Sequence, residues 1–186
     1  MTSTAAPTRQ ARLALTPRTS LAGLLDGAWW PYSRDLATEL PPLVDALRKR
    51  WGRVTRITAN PTPRPVSPHK VFVGAYAVHV GWFTGQDPDT MILLSYSLDR
   101  CDLLVIPPAT EPASATRLMA AASTPGNLHT AGILMSDENA TGRRLREGRT
   151  GEDARETEGG AYPQPRPHPR PVVGARMIPL PRSMRR

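Results

Sequence analysis

Between residues 54 and 107 the chain is written in strand pattern, and this stretch limits the fold more than any other. Residues 54–59 are rich in β-branched side chains and stop at Asn60-Pro61. The Pro-dense segment 61–68 that follows cannot enter a sheet interior, because proline has no amide hydrogen to give a ladder. Residues 71–73 and 77–83 flank Gly74, which reads as a hairpin turn. Residues 90–97 and 101–106 flank Leu98-Asp99-Arg100, a second hairpin. Within these runs, 91–94 and 103–106 are apolar at every position, as in a strand covered by other elements. Pro107-Pro108 ends the pattern.

The flanks supply the helices and one more strand. Leu13 and Leu15 alternate with polar or small neighbours, the pattern of a first strand. Leu36, Leu40, Leu43, Val44 and Leu47 form one helical stripe. Ser33 is expected to cap it, with Asp35 in the first turn. Pro41 and Pro42 interrupt the stripe, so the expectation is a short turn over 34–39 and a second helix from about Pro41. That helix closes on Arg48-Lys49-Arg50, cations that complement the helix C-terminus. Pro112 suits a first helical position, and Ala115, Leu118, Met119 and Ala122 give that helix a buried face. Ile133-Leu134-Met135 is a last apolar patch that can dock. The expected fold is α+β: a small, largely antiparallel sheet with helices packed on one face.

This domain is expected to span 12–140. A polar leader, 1–11, precedes it. Residues 141–186 lack clustered large apolar side chains, and prolines alternate with polar residues from Pro163 to Pro171. Such a segment cannot bury enough surface to offset its ordering entropy, so 141–186 is expected to be a disordered Arg/Pro-rich tail.

The net charge of +8 belongs mainly to that tail, where 11 Arg face 5 acids. Residues 1–140 hold 13 basic and 11 acidic groups, a net of only +2. Arg outnumbers Lys 22 to 2, as codon usage in a GC-rich genome would give, so basicity alone is weak support for nucleic acid. The single cysteine, Cys101, excludes an internal disulfide and reads as a buried thiol. The N-terminus lacks the apolar core of a signal peptide, and no run is long enough to span a bilayer. A cytoplasmic location without membrane contact is the expectation.

Chemistry concentrates in Asp26-Gly27-Ala28-Trp29-Trp30-Pro31-Tyr32-Ser33-Arg34-Asp35. Adjacent tryptophans in an extended segment point to opposite sides. One reading makes the element a structural corner, in which Asp26-Gly27 turns the chain, a tryptophan packs and Asp35 caps. The other makes Asp26, Trp29, Trp30, Arg34 and Asp35 a binding site with aromatic walls and an acid–Arg pair. The corner takes precedence. Arg48, Lys49, Arg50, Arg53, Arg56 and Arg64 surround Trp51 and read first as a solvated helix end, with phosphate contact as the alternative. His69, His79, His129 and His168 lack metal-ligand spacing, and Gln86-Asp87-Pro88-Asp89 reads as a turn rather than a calcium loop. No nucleophile elbow, dinucleotide fingerprint or P-loop occurs, so no catalytic residue, metal or cofactor is assigned.

The stretches Leu24-Leu25-Asp26-Gly27-Ala28-Trp29-Trp30-Pro31 with Arg34-Asp35-Leu36-Ala37, then Gly81-Trp82-Phe83, then Asp102-Leu103-Leu104-Val105-Ile106-Pro107-Pro108, carry a resemblance. Over roughly 12–135 the chain resembles an actinobacterial domain family of unknown function marked by DGAWWPRSRDL…ELP, GWF and DLLVVPP. Tyr32 stands where that pattern has Arg. The resemblance implies a bacterial source and transfers no activity. Three functions stay open. A non-catalytic binding or regulatory module, with a possible protein partner, comes first. A small-molecule binder or enzyme using Asp26, Trp29, Trp30, Arg34 and Asp35 is second. Polyanion or nucleic-acid association through the basic tail is third.

Overall fold

In the computed structural model, residues 9–17, 21–62, 68–97 and 99–158 are described, with side chains to residue 149. Among them the elements run β1 (Leu13–Leu15), β2 (Gly27–Trp29), α1 (Leu36–Trp51), β3 (Val54–Ala59), β4 (Lys70–Val73), β5 (Tyr76–Trp82), β6 (Thr90–Ser95), β7 (Arg100–Val105), α2 (Pro112–Ala122) and α3 (Ala131–Glu158). The strands join in one sheet of order β1-β2-β7-β6-β3-β5-β4.

Both hairpins read from the sequence form: β4 pairs with β5 around Gly74, and β6 pairs with β7. The sheet is nevertheless mixed. β2 runs parallel to β7, and β3 parallel to β5. The reason is that sequential order does not dictate neighbourhood. β2 enters the sheet before α1 and meets a strand more than 70 residues later, with Ala28 opposite Leu104. β4 folds back on the outer edge of β5 and leaves β5 to pair with β3.

The helices do not share one face, which corrects the single-layer expectation. Along β7, Leu103 belongs to one apolar cluster and Leu104 to another, and along β2 Trp29 and Ala28 divide in the same way. Alternate residues of a strand point to opposite sides. Leu36, Leu40, Leu43, Val44 and Leu47 of α1 pack with Trp29, Ile57, Val78, Met91 and Leu103 on the first face. Ala115, Leu118 and Ala122 of α2, with Ala131 and Leu134 of α3, pack with Ala28, Leu104 and Ile106 on the second. The fully apolar run 103–106 already demanded cover on both sides.

α1 is one continuous helix through Pro41 and Pro42, not two. The two missing amides would have served the carbonyls of Ala37 and Thr38, and both residues are exposed, so water can replace the lost bonds. Its N-cap is Asp35 rather than Ser33. The Asp35 carboxylate accepts the Ala37 amide at 3.0 Å and the Thr38 hydroxyl at 2.7 Å, while Ser33 Oγ accepts the Asp35 amide at 3.3 Å.

α3 overruns the expected start of the tail, being helical to Glu158. Lack of an apolar stripe predicts disorder, but residues 141–158 hold five Arg and four Glu, which favour helix without packing. Arg143 and Glu147 also stand at the supporting i, i+4 spacing. Residues 159–186, with the proline run and His168, and residues 1–8 of the expected leader lie outside the described residues. Arg9 and Gln10 of that leader contact Tyr32: the Arg9 guanidinium lies 4.5 Å from the ring centroid, and the Tyr32 hydroxyl donates to Gln10 O at 3.3 Å. The chain divides into compact units at Met1–Gly148 and Arg149–Arg186, and the end of α3 is the described part of the second.

Candidate functional site

β2 and β7 finish side by side, with Trp29 opposite Val105. The Ile106 amide closes the ladder on Trp29 O at 2.9 Å. Beyond that bond the next residues are Pro31 on one chain and Pro107-Pro108 on the other. Neither can donate another ladder bond, so the chains part, and a cleft of about 70 Å³ opens between them. Trp29, Leu36 and Val105 make its apolar floor, and Pro31, Pro88, Pro107 and Pro108 its walls. Four polar side chains reach it: Ser33, Arg34, Glu39 and Asp89.

Glu39 is buried on α1, and its Oε2 accepts the Tyr32 amide at 3.0 Å. That bond folds the 31–34 turn over the start of the helix. Asp89 sits on the loop between β5 and β6. Burial pushes its carboxyl above the usual range, and the charge of Asp87 adds to the shift. Asp87 is held in turn, accepting the Asp89 amide at 2.9 Å and the Gly132 amide at 3.0 Å, which ties the loop to the first turn of α3. Gln86 Nε2 donates to Thr58 O and Thr90 O, and Asn60 Nδ2 to Thr84 O and Gln86 O, so the loop carrying Asp89 is pinned along its length.

Of the five residues singled out from the sequence, the structure brings Trp29 and Arg34 to the cleft. Trp29 is 2% exposed, a core side chain that also lines the cleft. Trp30 points the other way and packs with the second cluster. Asp26 is occupied at the opposite end of β2, where its amide donates to Asp102 O at 2.7 Å and its carboxylate accepts the Asp102 amide at 2.8 Å. Asp35 is the helix cap. The expected Asp26–Arg34–Asp35 grouping therefore does not assemble.

Arg12 organises this corner and was not singled out beforehand. Its Nε donates to Trp30 O at 2.9 Å and its Nη2 to Pro31 O at 2.6 Å. Its guanidinium lies 3.4 Å from the Trp30 ring centroid and 4.0 Å from that of Tyr32. An aromatic at 32 thus receives two cations from the segment before β1. Glu39 was also missed, though its signal was visible: it is a carboxylate three residues after Leu36 and four before Leu43, inside the apolar stripe.

The other sequence candidates disperse. Arg50 stacks on Trp51 at 4.5 Å and Arg53 on Tyr76 at 4.2 Å, Arg48 and Lys49 are exposed on the last turn of α1, and Arg64 lies outside the described residues. Trp51 is buried and donates to Arg100 O at 3.3 Å. Cys101 is buried under α1, and burial raises its thiol far above the ordinary range. Among the described residues no group of His, Cys, Asp and Glu has metal-binding geometry, and no helix is long and apolar enough to cross a membrane.

Fold and cleft together define a single-sheet α+β domain with a recess of mixed polarity at the carboxyl ends of one parallel strand pair. The chain belongs to DUF5994, a family of unknown function, whose model matches residues 12–122, from the residue before β1 to the end of α2. No curated protein and no solved structure matches the chain. Two of the three segments that carried the resemblance, those ending at Pro31–Leu36 and at Pro107-Pro108, line the cleft. The third, Gly81-Trp82-Phe83, lies at the end of β5.

Proposed function

We propose that this domain is a non-catalytic binding module and that its ligand site is the cleft between Trp29, Arg34 and Pro107-Pro108. One observation carries the reading. Segments 76 residues apart in sequence, at Trp29 and Val105, converge on a recess with an apolar floor, rigid proline walls and two acidic side chains, Glu39 and Asp89. Recognition sites commonly combine apolar walls with a few placed polar groups. The two carboxylates against one guanidinium favour a ligand group with an apolar body and a basic end. A raised Asp89 carboxyl is what a cation would relieve. Prolines hold the walls before binding, which limits the ordering cost.

An amide-resolved NMR titration with benzylamine tests this. Resonances of Ser33, Arg34, Glu39, Asp89 and the Trp29 indole are expected to shift together, and Asp89→Asn to weaken the response several-fold. Shifts that map elsewhere, or an affinity indifferent to Asp89→Asn, would remove the reading. The enzyme alternative built on Asp26, Arg34 and Asp35 loses its geometric basis, since these three do not meet.

A further inference from the structure

Among the described residues, the second face of the sheet is covered only in part. α2 and α3 pack on it over β2 and β7. Over β6, β3, β5 and β4 it presents side chains that alternate with the buried set. The pairing register aligns these in a row across five strands: Lys70 opposite His79, His79 opposite Arg56, Arg56 opposite Leu94, and Leu94 opposite Arg100. Lys70, His79, Arg56 and Arg100 are all exposed. With strands ~4.8 Å apart, the row extends roughly 19 Å. Arg100 pairs with Asp102 at 2.8 Å, so Lys70, His79 and Arg56 are its strongest free-standing part.

Aromatic rings flank the row. Phe72, two residues past Lys70 on the same face, is 73% exposed. Phe83 lies on the other side and is 55% exposed. Its Cε2 stands 2.9 Å from where a β-carbon at Gly81 would be, so the absent side chain at 81 lets the ring come close to the sheet there. Exposing two phenylalanines beside aligned cations is costly for a surface that meets only water.

We infer that this open half of the sheet binds single-stranded nucleic acid, its phosphates following Lys70, His79 and Arg56 and its bases stacking on Phe72 and Phe83. A charged track with aromatic platforms beside it is the chemistry that holds single strands without sequence preference. A duplex would bury its bases away from both rings. The chain's own C-terminal segment is not the occupant that charge favours: residues 159–186 contain six Arg and no acid, and would be repelled by the row. The surface is separate from the cleft, which opens on the α1 side.

Fluorescence anisotropy of the full chain with labelled 16-nucleotide oligo-U and oligo-dT, from 50 to 200 mM salt, tests the inference. The double variant Lys70→Ala/Arg56→Ala is expected to lower the slope of log K on log salt by about 1.4, at ~0.7 per lost phosphate contact on a single strand. Phe72→Ala and Phe83→Ala are each expected to weaken binding at least about fivefold, the lower end for one stacked base. Both sets alter exposed side chains, and an unchanged circular-dichroism melt confirms the fold. No binding by the intact chain overturns the inference. So does binding whose affinity and slope ignore all four substitutions, which would place it on the Arg-rich C-terminal segment. Competition by poly-glutamate together with indifference to Phe72→Ala would assign the face to an acidic protein instead, and also overturns it.

Discussion

Replacing Gly27 with alanine is the sharpest test of how β1 is held. Gly27 has φ of +153°, a region that side chains rarely enter. A β-carbon there would lie 2.1 Å from Ala14 O and 2.9 Å from Leu15 Cα. Both are backbone atoms of the paired strand, so no rotamer change relieves the clash, and β1 must retreat by roughly 1 Å. The strained φ costs about 1–3 kcal/mol. The retreat also weakens the bonds fastening the two strands, among them Thr16 N to Asp26 O at 2.8 Å and Trp30 N to Arg12 O at 2.9 Å. Each contributes about 0.5–1.5 kcal/mol. The expected loss is therefore ~2–5 kcal/mol, read as a lowered urea midpoint in tryptophan fluorescence. Gly81→Ala is the control. Its new carbon meets the Phe83 ring, an exposed side chain free to swing aside, and the cost should stay below ~1 kcal/mol. Equal effects at the two sites, or a Gly27→Ala loss under ~0.5 kcal/mol, would refute the close-approach argument.

Three further outcomes follow from the packing. Trp29→Ala should cost about 3–5 kcal/mol, as deletions of large core side chains do, whereas Trp30→Ala should lose mainly the Arg12 stack and partial packing, about 1–2 kcal/mol. Equal losses in denaturant would show that the two do not divide between the sheet's faces. Cys101 should resist a thiol reagent such as DTNB in the native state and react completely in urea, because burial keeps the thiol protonated. Rapid native labelling would contradict its place under α1. Asp35→Ala should destabilise by about 1 kcal/mol near neutral pH through loss of the cap. The Thr38 hydroxyl, then the Ala37 amide, hold the Asp35 carboxyl below its ordinary 3.8. A depressed acid stabilises the fold above that ordinary value and ceases to as pH falls through its lower folded one. The gap between wild type and variant should accordingly close in acid, and a gap that persists at low pH would argue against the cap.

Local pattern determined much of this protein. Period-two alternation and turn residues placed β1 and both hairpins, and Pro112 with helical spacing placed α2, because those features depend on neighbours within a few residues. The Trp29–Trp30 alternation was legible for the same reason: two adjacent side chains in a strand must part. What the sequence left undecided was every relation between distant segments. Nothing in Gly27-Ala28-Trp29 states that it will lie parallel to 103–105, and the cleft exists only because those strands end together at Pro31 and Pro107. Asp89 enters the site from a loop 55 residues from Arg34, so no spacing rule could find it. Pattern also misjudged two helices. The pair Pro41-Pro42 looked like a break, yet its lost bonds fall on exposed residues, and the polar run after residue 140 continues α3 without an apolar stripe, through Arg and Glu residues that favour helix. The basic row is the clearest case of division between the two levels. The sequence grouped Arg56 with the helix end around Trp51 and gave Lys70 no role, and only the strand order and register set both beside His79. Cross-strand hydrogen bonding, a contact between residues remote in sequence, is what turns scattered charges into a surface.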